Sequence, residues 1–154
     1  MSTVEQHLKN LGLTIPAAPK PVAAYVPAVR AGNLVFVSGQ IPMSDGRLIA
    51  TGPVPSKASI EQAQQAARQC VLNALAVIQQ VMEVDLEDIR RIVRLGVFVC
   101  SDPGFIEQPK VANGASELLV EVFGESGRHA RAAVGSIALP LGATVEVEML
   151  VEVK

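Results

Sequence analysis

The chain has 154 residues, enough for one domain with its own buried core. Hydrophobic residues make up 49% of it and aromatic residues only 3%, so we predict an ordered protein with an aliphatic core. A net charge of −2 provides no basic surface, which argues against nucleic acid as a partner.

The first 21 residues predict a short helix followed by an extended linker. Val4, Leu8 and Leu11 recur at helical spacing between Ser2 or Thr3, as the N-cap, and Gly12, as the stop. Three prolines between positions 16 and 21 favour an extended chain. The N-terminus lacks the apolar segment of a secretion signal, and no apolar run reaches the roughly 18 residues of a membrane span. The expected compartment is therefore the cytoplasm, without membrane contact.

Strand-forming segments occupy the next part of the chain. Val22–Arg30 and Asn33–Ser38 flank a tight turn at Ala31-Gly32 and predict a β-hairpin. A short strand is predicted at Arg47–Ala50, and the prolines within Thr51–Ser56 indicate a loop.

Two long helices are predicted between strands. An apolar stripe runs from Ile60 to about Met82, and Ser59 with Gln62 forms the pattern of a capping box. A second helix is predicted from about Gln108 to Val122, ended by Gly124. A helical turn is predicted at 85–88, and a strand buried on both faces at Ile92–Cys100. Two further strands are predicted at Arg131–Ala138 and Thr144–Val153.

This order predicts an α+β sandwich in which two helices pack on one face of a mixed β-sheet. In the last strand, the alternating residues from Val145 to Val153 can face the helices. Leu150 interrupts the glutamates of the other face, which suggests that a second subunit covers it.

The segment from Asn113 to Glu148 is the strongest indication of a functional site. Arg128, His129 and Arg131 precede an apolar strand, and Glu146 lies on the next strand. A fixed guanidinium beside a carboxylate can hold a small carboxylic acid and orient a water molecule. Neither a metal-ligand cluster nor a nucleophile–base pair is evident, so no metal or cofactor is expected. The distant Cys70 and Cys100 are interpreted as small buried hydrophobic residues.

Several motifs occur in the order found in a known family: AAYVPAV, LVFVSGQIP, LGVFV, RAAVGSIALP and VEVE. Over about residues 20–153 the chain resembles the Rid (YjgF) family, formerly called endoribonuclease L-PSP, and NGASELL with GRHAR resembles its longer, mostly uncharacterised branch. The resemblance implies a chorismate-mutase-like fold (bacillus type) and a homotrimer with clefts at its subunit interfaces. It also implies hydrolysis of enamine or imine intermediates, such as 2-iminobutanoate and 2-iminopropanoate, to 2-keto acids and ammonia.

The resemblance also assigns roles to individual residues. It makes Arg131 the ligand of the substrate carboxylate and Glu146 the residue that orients water. The implied walls of the cleft contain Tyr25, Ser38 and Gly39, together with Asn113, whose spacing to Arg131 differs from the family's. Three departures alter that cleft: Ala133 replaces a Cys or Thr, Arg128-His129 replaces Phe-Pro, and Val26-Pro27 replaces Ser-Gln.

Other interpretations remain open at this point. An exposed glutamate on a sheet face is the alternative interpretation of Glu146, and a packed interface aromatic residue is that of Tyr25. His129 is a candidate substrate contact, or a histidine that hydrogen-bonds its own loop or a neighbouring subunit. For the whole protein, the alternatives to a deaminase are a non-catalytic carboxylate-binding or chaperone-like trimer and, less favoured by charge, a ribonuclease.

Overall fold

The computed structural model describes residues 3–20 and 24–154. Within them lie three α-helices: α1 (Thr3–Asn10), α2 (Ile60–Ala76) and α3 (Gln108–Phe123). The strands are β1 (Ala28–Ala31), β2 (Leu34–Gln40), β3 (Met43–Ser44), β4 (Arg47–Leu48), β5 (Ile89–Cys100), β6 (Ala130–Ser136) and β7 (Val145–Val153). Short 3₁₀ turns occur at Leu86–Asp88, Gly124–Gly127 and Pro140–Gly142.

Five of these strands form one mixed sheet in the order β1-β2-β7-β5-β6. The β5–β6 pair is parallel and the other pairs are antiparallel, while β3 and β4 form a separate hairpin. Helices α2 and α3 pack against each other and against one face of the sheet. The predicted α+β fold with two helices on one face is therefore confirmed.

Alternation in β7 determines which face of the sheet is buried. Val145, Val147, Met149, Val151 and Val153 are buried under the helices, as predicted. The opposite face, called here the open face, carries large apolar side chains in register with Leu150. They include Val29 and Phe36, which are 52% and 47% exposed. The sheet is thus covered on one side only in the described residues.

Helix α2 begins with the predicted capping box, in which Ser59 Oγ accepts from the Gln62 N–H and the Gln62 side chain accepts from the Ser59 N–H. It crosses α3 at Gly114, where an added Cβ would lie 2.4 Å from the Gln64 carbonyl oxygen. Because backbone blocks that position, the crossing requires glycine. Asn113 and Ser116, on the neighbouring surface of α3, are positioned by this crossing.

The helix predicted from Ile60 to about Met82 has the expected extent, since α2 ends at Ala76 and continues as a π-helical turn, Val77–Val81. Two predicted strand boundaries were wrong. Strand β1 begins at Ala28 rather than at Val22, since Pro27 has no N–H to donate; residues 21–23 lie outside the described part of the chain. The strand predicted at Arg47–Ala50 stops at Leu48.

The central strand also differs from its prediction. Strand β5 begins at Ile89, three residues before the predicted start, and two register shifts accommodate the added residues. Ile92–Cys100 was predicted to be buried on both faces, but Arg94 within that range is exposed, as are Arg90 and Arg91 in the added residues. Only the helix-facing side of its first half is buried, because none of the described residues covers the open face there.

Candidate functional site

Arg131 lies at the start of β6, the edge strand of the sheet. It aligns with Leu95 of β5, which in turn aligns with Met149 of β7, and both of these are buried under the helices. Because aligned residues in adjacent strands point to the same face, Arg131 points to the helix side. Its guanidinium therefore meets α3 rather than the open face.

Three groups on α3 hold this guanidinium. Arg131 Nη1 donates to Asn113 Oδ1 at 2.9 Å and to Ser116 Oγ at 3.1 Å, and Nη2 donates to the Pro109 carbonyl at 3.4 Å. Asn113 and Ser116 are three residues apart on a helix and so share one face. The structure therefore brings the predicted Arg131 and Asn113 together.

His129 extends the same cluster. Its Nδ1 lies 2.7 Å from the Gly127 carbonyl oxygen and its Nε2 lies 2.8 Å from Ser116 Oγ. Burial lowers the pKa of His129 below its ordinary value of 6.5, and the positive charge of Arg131 lowers it further. The hydrogen bond to the Gly127 carbonyl opposes this shift but does not cancel it. The sequence did not predict this hydrogen bond between Ser116 and His129. Ser116 was missed, although its helical spacing to Asn113 was visible in NGAS.

Glu146 occupies a different environment, on the open face of β7. Its side chain lies over Gly39, where an added Cβ would be 2.2 Å from Glu146 Oε1. Among the described residues it has no hydrogen bond or ion pair, whereas Glu148, on the same face, pairs with Arg94 at 3.2 Å. Burial raises the pKa of Glu146 above its usual 4.5, and the negative charge of Glu148 raises it further.

Ser38 precedes Gly39 on β2, and the segment that carries Tyr25 is attached beside it. Ser38 Oγ donates to the Val26 carbonyl, and the Ser38 N–H donates to the Pro27 carbonyl, which fastens the segment carrying Tyr25 to β2. Tyr25 is 51% exposed and lines a cavity of about 510 Å³ together with Gly39. Glu146, Gly39, Ser38 and Tyr25 thus form a second group.

The two groups do not meet within one chain. Glu146 aligns with Phe98, and Phe98 aligns with Val134, which is 47% exposed on the open face. Arg131 points to the opposite face, with β5 between its strand and β7. The guanidinium and carboxylate that the sequence suggested as neighbours are therefore separated by the sheet.

Groups suited to metal binding are not evident in the described ranges, where no three His, Cys, Asp or Glu side chains gather. Both cysteines are free and buried, as predicted, and burial raises the thiol pKa of each. None of the described helices is long and apolar enough to cross a membrane.

A family model described as "YjgF/chorismate mutase-like, putative endoribonuclease" matches residues 5–153. The chain belongs to the YjgF family. The YjgF fold of this chain is shared by the crystal structure of Atu1372, a protein of unknown function from Agrobacterium tumefaciens. That protein is 47% identical, with a TM-score of 0.92 over 99% of this chain and 93% of that one.

Two curated relatives of this YjgF chain bear on its function. Protein TCP17 of Trypanosoma cruzi is 46% identical over 97% of this chain and 93% of its own length. A more distant relative, 29% identical over 92% of this chain and 95% of its own, is the 2-iminobutanoate/2-iminopropanoate deaminase of Dermatophagoides farinae. The family is thus established, and the activity of this member is a separate question.

Proposed function

We propose that this protein is an enamine and imine deaminase that converts 2-imino acids to 2-keto acids and ammonia. The observation that carries the proposal is the guanidinium of Arg131, held by Asn113 and Ser116 at the sheet edge. An arginine fixed in this way binds a carboxylate without first losing side-chain freedom. The deaminase name of the Dermatophagoides farinae relative supports the same reaction.

The proposed chemistry requires little beyond positioning. Arg131 holds the substrate carboxylate, and water adds to the electrophilic imine carbon while Glu146 accepts a proton from that water. Addition to the protonated imine gives a neutral carbinolamine. Glu146 passes its proton to the amine nitrogen, the C–N bond breaks to release ammonia, and the hydroxyl proton returns to Glu146, leaving the 2-keto acid. The raised pKa of Glu146 makes it a stronger base than an ordinary glutamate, which suits this role.

Arg131 and Glu146 lie on opposite faces of the sheet, so their joint action requires two copies of the chain. We propose that the protein is a homotrimer in which the open faces meet and small carboxylic or imino acids bind between subunits. Half-exposed Phe36 and Val134 on the open face favour this assembly. Light scattering at micromolar concentration tests it, and a stable monomer contradicts both the assembly and the shared site.

Ammonia release from imino acids, generated in place by an amino-acid oxidase, tests the reaction. Arg131→Ala should weaken binding of 2-keto acids by about 2–4 kcal/mol, because a charge-assisted contact is lost. Glu146→Gln should lower kcat more than it raises KM, since its proposed role is in the reaction step. Glu152→Gln, on the same face of β7, is the matched control and should behave like the parent.

A carboxylate-binding protein without catalysis is the second candidate. Ala133 favours it, because a methyl group stands where the family pattern has a reactive or hydroxyl side chain. Binding of 2-keto acids through Arg131 without any acceleration of imine hydrolysis would establish this function instead. RNA cleavage that persists in Arg131→Ala would point to a contaminant or another surface.

A further inference from the structure

We propose that Ser116 and His129 are positioning residues that fix Arg131 for its ligand, with His129 acting as the acceptor that sets the direction of the Ser116 hydroxyl. The inference rests on the proposed function in taking Arg131 as the carboxylate ligand. The family resemblance gave the substrate-carboxylate role to Arg131 and the water-orienting role to Glu146, and it gave neither role to Ser116 or His129. At the position of His129 the family pattern has proline.

The direction of each hydrogen bond follows from the atoms involved. The Gly127 carbonyl can only accept, so His129 Nδ1, 2.7 Å away, carries the proton. In a neutral ring Nε2 then carries no proton, so it accepts the hydrogen bond that Ser116 Oγ donates at 2.8 Å. The lone pairs of Ser116 Oγ are left for Arg131 Nη1 at 3.1 Å. A backbone carbonyl thus determines, through two side chains, where the guanidinium lies.

The same contacts determine which edge of Arg131 is offered to a ligand. Nη1 has two hydrogens, and Asn113 and Ser116 accept one each. Nε has no hydrogen-bond partner among residues 3–20 and 24–154, and Nη2 has only the 3.4 Å contact to Pro109. A carboxylate therefore binds in bidentate fashion on the Nε–Nη2 edge.

The acceptors on α3 replace a polar side chain that β6 does not provide next to Arg131. Ala133, two residues after Arg131 and on the same side of the strand, offers no polar atom. Within the described residues, the side-chain hydrogen bonds of Arg131 all go to α3, and His129 contacts Ser116, one of the acceptors, from the loop side. Arg131 is the charge that acts on His129, whereas Arg128 pairs with Glu125 at 3.1 Å.

The test combines nuclear magnetic resonance with calorimetry on the full-length protein. Rotation of the Arg131 guanidinium is measured from its ¹⁵N signals, and 2-ketobutyrate is the binding probe. Ser116→Ala should free the rotation and weaken 2-ketobutyrate binding about tenfold, the effect of losing one hydrogen bond to a charged group. Ser116→Thr, which keeps the hydroxyl, should restore both. Ser126→Ala is the matched control, because Ser126 is also half-buried and donates to a backbone carbonyl outside the cluster.

His129 provides a readout that a purely structural role would not change. In the parent, rotation of Arg131 should quicken as the pH falls through the pKa of His129, because a protonated Nε2 no longer accepts from Ser116. His129→Gln keeps an acceptor that does not titrate, and it should abolish this pH dependence.

The outcomes separate this inference from the proposed function. Unchanged rotation in Ser116→Ala, or the same pH dependence in His129→Gln, would overturn the positioning role. Failure of the parent to bind 2-ketobutyrate would refute Arg131 as a carboxylate ligand, while the rotation measurements still decide the positioning role. Binding without deaminase turnover would leave the positioning role intact.

Discussion

The arginine and the glutamate of the candidate site differ in how the chain supports them. Arg131 is held by α3 through Asn113, Ser116 and Pro109, so its position is determined within one subunit. Glu146 lies over Gly39 without a hydrogen bond in the described part of the chain. The described part of one chain thus fixes the position of the Arg131 guanidinium, whereas it offers the Glu146 carboxylate no hydrogen-bond partner.

The largest expected effect comes from disturbing the support of Arg131 at the helix crossing. Gly114→Ala places a Cβ against the Gln64 carbonyl, and this backbone contact can be relieved only by moving α3 away from α2. We expect a loss of about 3 kcal/mol in the free energy of unfolding, measured with urea. Asn113 and Ser116 should move with α3, so that carboxylate binding weakens as well. A variant as stable as the parent would contradict this account of the crossing.

Gly39→Ala disturbs the other region and should cost much less. The added Cβ meets the side chain of Glu146 rather than backbone, and that side chain can rotate away. We expect about 1 kcal/mol of destabilisation in the same urea measurement. If Glu146 acts on water, turnover should fall while the affinity for 2-keto acids stays near the parent value. Equal losses of turnover and affinity would mean that the two regions are not separate.

Many of these features follow from sequence because they depend on neighbouring residues. The capping box at Ser59, the alternation in β7 and the stop after Phe123 are local patterns, and each is confirmed. The contact between Ser116 and His129 is different, since it depends on where α3 and β6 meet in space. The opposite facing of Arg131 and Glu146 depends on strand order and register, which no motif encodes.

The stability of Glu146→Gln at two pH values tests whether the Glu146 carboxylate lacks a stabilising partner in the folded chain. The pKa of Glu146 is raised in the folded protein, so its favourable contribution is complete below about 4.5 and is lost as the pH rises through the folded value. Because glutamine carries no charge to desolvate, the variant should be more stable than the parent at pH 7. Thermal unfolding at pH 4 and pH 7 should therefore show a gain for the variant only at the higher pH.

His129 should show the opposite pH dependence, with the smallest effect. Its pKa is lowered on folding, so stability is complete above about 6.5 and declines as the pH falls toward the folded value. His129→Gln should reduce this decline without altering stability at pH 8 by more than the loss of one contact. Urea unfolding from pH 8 to pH 5 gives the comparison, and parallel curves for the two proteins would show that His129 does not titrate differently on folding.

The packing of carboxylates over glycines has a consequence for how this sequence can diverge. Glu146 lies over Gly39, and in the same way Glu148 lies over Gly96. Each glycine is required only while a long side chain occupies the space above it. Substitutions at the two members of a pair should therefore be coupled in evolution, so that a homologue with a short residue at the position of Glu146 is free to carry alanine or serine at that of Gly39. A homologue that keeps the glutamate should keep the glycine.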